Sequence, residues 1–218
     1  MTFLIKQLFM NKKIETKYIL AIIIAAVLWF IMFFPWTSSY LDFWIAMPFA
    51  AVILCIVSII LNNDLRTELK FNIRDVITGI IYAVILWIIF VCGDYVSNFL
   101  FSFEKSQVSS IYGMRAGHNS YTLSILLLFL IGPAEEIFWR GTIQKYFMKK
   151  KGPWSGVLIT SIIYALVHLW SFNFMLIMAA FVCGIFWGTL FLYKKRLSVV
   201  IISHAVWDVL VFILLPII

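Results

Sequence analysis

The amino-acid sequence predicts an all-α fold: a polytopic membrane helix bundle of about seven transmembrane helices, with the N-terminus cytoplasmic. Three observations predict it. Of the 218 residues, 64% are hydrophobic and only 12% are charged, about half the charge of a soluble domain. Apolar runs recur at the length that crosses about 30 Å of hydrocarbon. The basic residues collect in alternate connections. Lipid offers the backbone no hydrogen-bond partner, so such a chain must bond internally, as helix.

The runs fall near residues 18–34, 43–61, 76–92, 121–144, 154–170, 173–192 and 197–218. The first follows Lys12, Lys13 and Lys17 and has no small-residue cleavage site after it, so it is expected to span rather than to be removed. With the N-terminus inside, the cytoplasmic segments hold Lys6, Lys12, Lys13 and Lys17, then Arg66, Lys70 and Arg74, then Lys145 and Lys149 to Lys151, then Lys194 to Arg196. Only Lys105 and Arg115 fall outside, and Arg140 within a run. A missed or extra helix would destroy this alternation. The net charge of +7 therefore reads as topology in a multi-pass protein of the cell membrane, with the lipid bilayer as its partner and no nucleic acid.

The longest connection, 93–120, holds Gly113, Gly117 and Asn119, and the Phe-rich stretch from Asn98 to Phe103 is expected at the interface. His118 falls in this loop and is expected to be solvated. Asp75, Asp94 and Glu104 are placed in loops or at helix ends. The tryptophans are expected mostly near span ends as anchors, and Cys55, Cys92 and Cys183 as small buried residues without a disulfide framework. Gly184 and Gly188 form a small-residue pattern for close helix packing. Ser171 and Asn173 read as a helix cap.

Six ionisable residues lie inside the runs: Glu135, Glu136, Arg140, His168, His204 and Asp208. Charge near the bilayer centre costs several kcal/mol, about 2.5–3.5 on insertion scales, so such groups face one another or a wet cavity. Glu136 and Arg140 are four apart on one helical face, in the favourable order for an ion pair. Glu135 points about 100° away and is left free to act. Pro133 removes a donor just before the pair and kinks the helix. His204 and Asp208 are again four apart, so they could ligate one metal, or Asp208 could orient the imidazole.

These residues form three motifs in order. Glu135, Glu136 and Arg140 give Glu-Glu-x-x-x-Arg, Tyr164 and His168 give an aromatic-x-x-x-His, and His204 and Asp208 give His-x-x-x-Asp. The pattern resembles the CPBP family of membrane proteins, which includes the CAAX prenyl endopeptidases and the bacteriocin-processing and bacteriocin-immunity (Abi-type) relatives. Tyr164 stands where that family carries Phe, and Asp208 is the acidic variant of Asn. A carboxylate donates to an oxyanion only when protonated, so Asp208 suits that role less well than Asn.

The resemblance covers roughly residues 121–210. It implies a catalytic core at 121–218 and a three-span N-terminal region at 1–120 within one membrane domain. It implies an intramembrane CAAX-type endopeptidase, a hydrolase of metalloendopeptidase-like character, that cuts a membrane-associated peptide of prenylated or bacteriocin type. Glu135 would be the general base, His168 would share its water, and His204 with Asp208 would stabilise the oxyanion. Glu136, Arg140 and Tyr164 would support them. Glu135, His168, His204 and Asp208 also offer enough N and O donors for zinc, so metal-free and zinc-assisted water activation both stay open and no cofactor is certain. The sequence has neither an HExxH motif nor a Gly-x-Ser-x-Gly elbow. A non-catalytic immunity or scaffold protein of the same family is the alternative. Proton-coupled transport has less support, because no inverted repeat is visible.

Overall fold

In the computed structural model the backbone is described for residues 2–217 and the side chains for residues 15–217. The charges expected at Lys6, Lys12 and Lys13 lie outside the described side chains. Among the described residues seven apolar helices are long enough to cross a membrane: Glu15–Phe33, Phe43–Leu61, Ile73–Leu100, Ser120–Lys151, Pro153–Ser171, Phe174–Lys194 and Leu197–Leu214, here spans one to seven. Among the described residues there is no strand.

Spans four and seven are the centre of the bundle, with 56% and 61% of their apolar windows buried against 17% for span three. Isoleucines of span three such as Ile73, Ile77 and Ile81 stay exposed, as a lipid-facing surface requires. Spans four and seven can approach closely because Gly132 lacks a Cβ. One placed there would meet Ala205 Cα at 2.9 Å. Gly184 of span six does the same against Ser161 of span five, also at 2.9 Å. Asn173 caps span six, its Oδ1 accepting from the Leu176 N–H at 2.9 Å.

Span three corrects the sequence reading. It runs on from Cys92 to Leu100, so Asp94 lies in a helix and not in a loop. Hydropathy falls at Gly93 and Asp94, but the helical backbone goes on bonding where the side chains face a cavity instead of lipid. The long connection then contains a second helix, Glu104–Gly113, here the connecting helix. Its first residue, expected in a loop, is 2% exposed. His118 is not merely solvated, since its Nε2 lies 3.3 Å from Asp42 Oδ2.

The tryptophans are corrected too. Trp36, Trp154 and Trp170 are exposed, but Trp29, Trp44, Trp139, Trp187 and Trp207 are buried in the core. A ring that big fills the space between helices better than the interface can use it. Of the three free cysteines only Cys183 is buried, and Cys92 is exposed on the lipid side of span three.

Candidate active site

The site begins with the winding of span four. Leu127–Ile131 and Trp139–Gln144 form π-helical turns on either side of the α-helical Gly132–Phe138. Such wide turns occur often at functional sites because they re-aim side chains. Pro133 stands just past the first of them, where its missing N–H is tolerated. In the second, the Gly141 carbonyl accepts from Asn62 Nδ2 at 2.9 Å, a bond that reaches in from the end of span two.

Adjacent positions on this helix send Glu135 and Glu136 to different neighbours. Glu135 faces span five, where the Tyr164 hydroxyl donates to its Oε2 at 2.8 Å. The hydroxyl that Tyr164 adds to the aromatic position thus fixes one carboxylate oxygen and leaves Oε1 for another partner. Glu136 faces span seven. Its Oε1 accepts from Arg140 Nη1 at 2.8 Å and meets His204 Nδ1 at 2.7 Å. Arg140 Nη2 also donates to the carbonyls of Cys183 and Gly184, each at 3.3 Å. The guanidinium thus ties span four to span six, and the Glu136 carboxylate that it holds ties span four to span seven.

The tautomers follow from the partners. His168 Nδ1 lies 2.7 Å from the Tyr164 carbonyl, which can only accept, so Nδ1 carries the proton. His168 Nε2 receives the Trp29 indole N–H at 3.0 Å, so it must be the lone pair. The ring is neutral and both nitrogens are used. His204 Nδ1 faces a carboxylate already paired with Arg140, so Nδ1 donates. Its Nε2 lies 3.5 Å from Asp208 Oδ2, and a proton on either group makes that approach attractive. The indole of Trp187 stacks on the His204 ring at 3.8 Å and 18°, and is itself pinned by a bond to Ser203 Oγ.

Glu135, Tyr164, His168, His204 and Asp208 all line one chamber of about 420 Å³. Its other walls are chiefly apolar, including Ile131, Ala180 and Val211. Glu135 is 6% exposed, so its carboxyl meets the chamber and little else.

A zinc ion does not fit these residues as they are held. Among the described residues no three His, Cys, Asp or Glu side chains gather closely enough to hold one ion. His168 has given its lone pair to Trp29, and His204 is engaged by Glu136 and Asp208. The set of Glu135, His168, His204 and Asp208 shares a cavity but not a coordination centre.

Trp29 is the residue sequence reasoning missed. It belongs to span one, outside all three motifs, and an aromatic residue in an apolar run carries no signal of its own. It stands four residues before the end of the span, where a tryptophan reads as an interface anchor.

Residues 117–210 match the family described as type II CAAX prenyl endopeptidase Rce1-like, in agreement with the resemblance that the three motifs carry. The matched segment contains every residue of those motifs and leaves spans one to three outside. No curated protein and no solved structure matches the chain.

Proposed function

We propose, from the match of residues 117–210 to the Rce1-like type II CAAX prenyl endopeptidases, that the chain is an intramembrane endopeptidase in which Glu135 activates water. The observation that carries this reading is a buried glutamate that lines the chamber with one oxygen held by Tyr164 and no hydrogen bond to its Oε1 among the described residues. A carboxylate in apolar surroundings is a stronger base toward water than one in bulk solvent.

In this reading water binds at Glu135 Oε1. The carboxylate takes one proton as the water oxygen attacks the scissile carbonyl carbon. The carbonyl oxygen becomes an oxyanion and is stabilised by the proton shared between His204 Nε2 and Asp208. The C–N bond then breaks, and Glu135 returns its proton to the leaving amine. The products are a carboxylic acid and an amine, which part as carboxylate and ammonium once the acid proton passes to the amine. His168 is a positioning residue: bonded at both nitrogens, it holds the Tyr164 end of span five against span one. Glu136 and Arg140 hold His204 by its Nδ1 proton, so that Nε2 faces Asp208. The substrate class is a membrane-associated peptide, prenylated or bacteriocin-like, whose apolar body suits the walls.

The test is mass spectrometry of membrane peptides incubated with the protein in liposomes, wild type against Glu135→Gln. The isosteric change removes the base and lowers cleavage by about 10²–10⁴-fold while the thermal unfolding midpoint holds. Cleavage that persists in Glu135→Gln ends the base assignment. A biological phenotype that survives it favours the immunity or scaffold alternative.

A further inference from the structure

The chamber has a second acidic end. Asp94 of span three and Glu104, the first residue of the connecting helix, line the same cavity as Glu135 and Asp208. Their two carboxyls lie within hydrogen-bonding reach of each other. Glu104 is 2% exposed, and no donor among the described residues reaches its buried Oε2. A buried carboxyl oxygen without a donor is costly to keep. Capping the connecting helix does not require it, because the Glu104 N–H already bonds to the Phe101 carbonyl.

Neither nearby cation hydrogen-bonds to Glu104, and Lys105 acts on it through its charge alone. Arg115 donates to the Phe212 carbonyl and lies over the Tyr112 ring, 5.5 Å from its centroid. Lys105 is exposed. The walls between the two acidic ends are apolar and include Phe90, Val108 and Phe212. Burial and the neighbouring Asp94 carboxyl hold Glu104 above the usual carboxylate range. Two carboxyls this close disfavour each other's negative charge, and a cation placed beside them would relieve that repulsion.

We propose that Asp94 and Glu104 form a cation-binding subsite that takes an ammonium or guanidinium group of the peptide substrate while its scissile bond lies at Glu135. The proposal rests on the proteolytic reading and adds a substrate feature to it. A lysine or arginine suits the place because its aliphatic stem can lie along apolar walls and carry the charge to the end. It would supply the donors that Glu104 Oε2 lacks.

Two measurements on the protein in lipid nanodiscs test it, each comparing wild type with Asp94→Asn/Glu104→Gln. The first is equilibrium binding of dodecylammonium and of dodecanol. Partition into lipid is the same for both proteins, so the difference between them reports the chamber. The double variant should bind dodecylammonium about tenfold more weakly and dodecanol equally. The second measurement is cleavage of a peptide pair carrying lysine or norleucine at one position. Wild type should prefer lysine, and the variant should lose that preference without losing norleucine cleavage. Glu104→Gln alone keeps a hydrogen bond to Asp94, so it serves if the double variant unfolds, and thermal unfolding reports which is the case. Equal dodecylammonium binding in both proteins overturns the subsite. Ammonium binding without a lysine preference in cleavage assigns the site to free amines and overturns its role in substrate choice. Ammonium binding with no peptide cleaved at all leaves the subsite standing and removes the proteolytic reading.

Discussion

Two carboxylate–cation pairs tether span seven, one at its basic end and one at its middle, and they are built differently. At the basic end Asp75 of span three is fully engaged. Its Oδ1 accepts from Arg196 Nε at 3.2 Å, and its Oδ2 accepts from Arg196 Nη2 and from Ser198 Oγ, the latter at 2.7 Å. Arg196 Nη2 reaches the Lys70 carbonyl as well. At the middle, Glu136 Oε1 takes both Arg140 and His204, while Glu136 Oε2 and Arg140 Nε are buried with no partner among the described residues. The first arrangement is a finished clip. The second leaves polar capacity unused beside the chamber, and that is the kind of cost a protein sustains where chemistry depends on the group's position.

The comparison can be broken by measurement, the largest effect first. Arg140→Met removes a guanidinium that is 1% exposed and strands the Glu136 carboxylate. Loss of one partner from a buried pair costs about 3–5 kcal/mol, read as a lower denaturation midpoint in detergent. If Arg140→Met costs no more than a change at Asp75, the two tethers are equivalent and the distinction falls. Trp29→Phe keeps an aromatic ring and removes the indole N–H that bonds His168 Nε2. Peptide turnover should fall by about tenfold, corresponding to about 1.4 kcal/mol, with KM unchanged. A rise in KM alone would make Trp29 part of the binding wall instead of a positioning residue. Asp75→Asn should be mildest. Its partner Arg196 has a side chain 40% exposed, where solvent screening leaves an ion pair about 1 kcal/mol or less. Cleavage should be unaffected, and a loss of cleavage there would show that the clip also sets the height of His204.

How much of this was legible beforehand depends on the range of each signal. The seven spans were legible because an apolar run of sufficient length is a local property. Glu135, Glu136, Arg140, His168, His204 and Asp208 stood out because charge is rare in such runs. Their mutual arrangement was partly legible, since four-residue spacing puts Glu136 beside Arg140 and His204 near Asp208. The Glu136–His204 and Tyr164–Glu135 bonds were not, because each joins residues far apart in the chain. Trp29 and Glu104 were hidden for opposite reasons. One was polar function in a residue that hydropathy counts as apolar. The other was burial in a segment that hydropathy counts as loop. The π-helical turns of span four have no local sequence signature at all.

Those wide turns carry a consequence for how the chain tolerates length changes. A π turn holds one residue more than the α turn it replaces, so deleting a single residue within 127–131 could leave a membrane-crossing rod almost as long as before. Closing that turn as an α turn keeps the two sides in register, whereas deleting one residue of the α-helical stretch 132–134, which has no surplus to absorb the loss, would swing one side by about 100° relative to the other. Glu135 would then rotate away from the Tyr164 hydroxyl. Insertion into the bilayer would survive such a deletion, and the register of the active face would not.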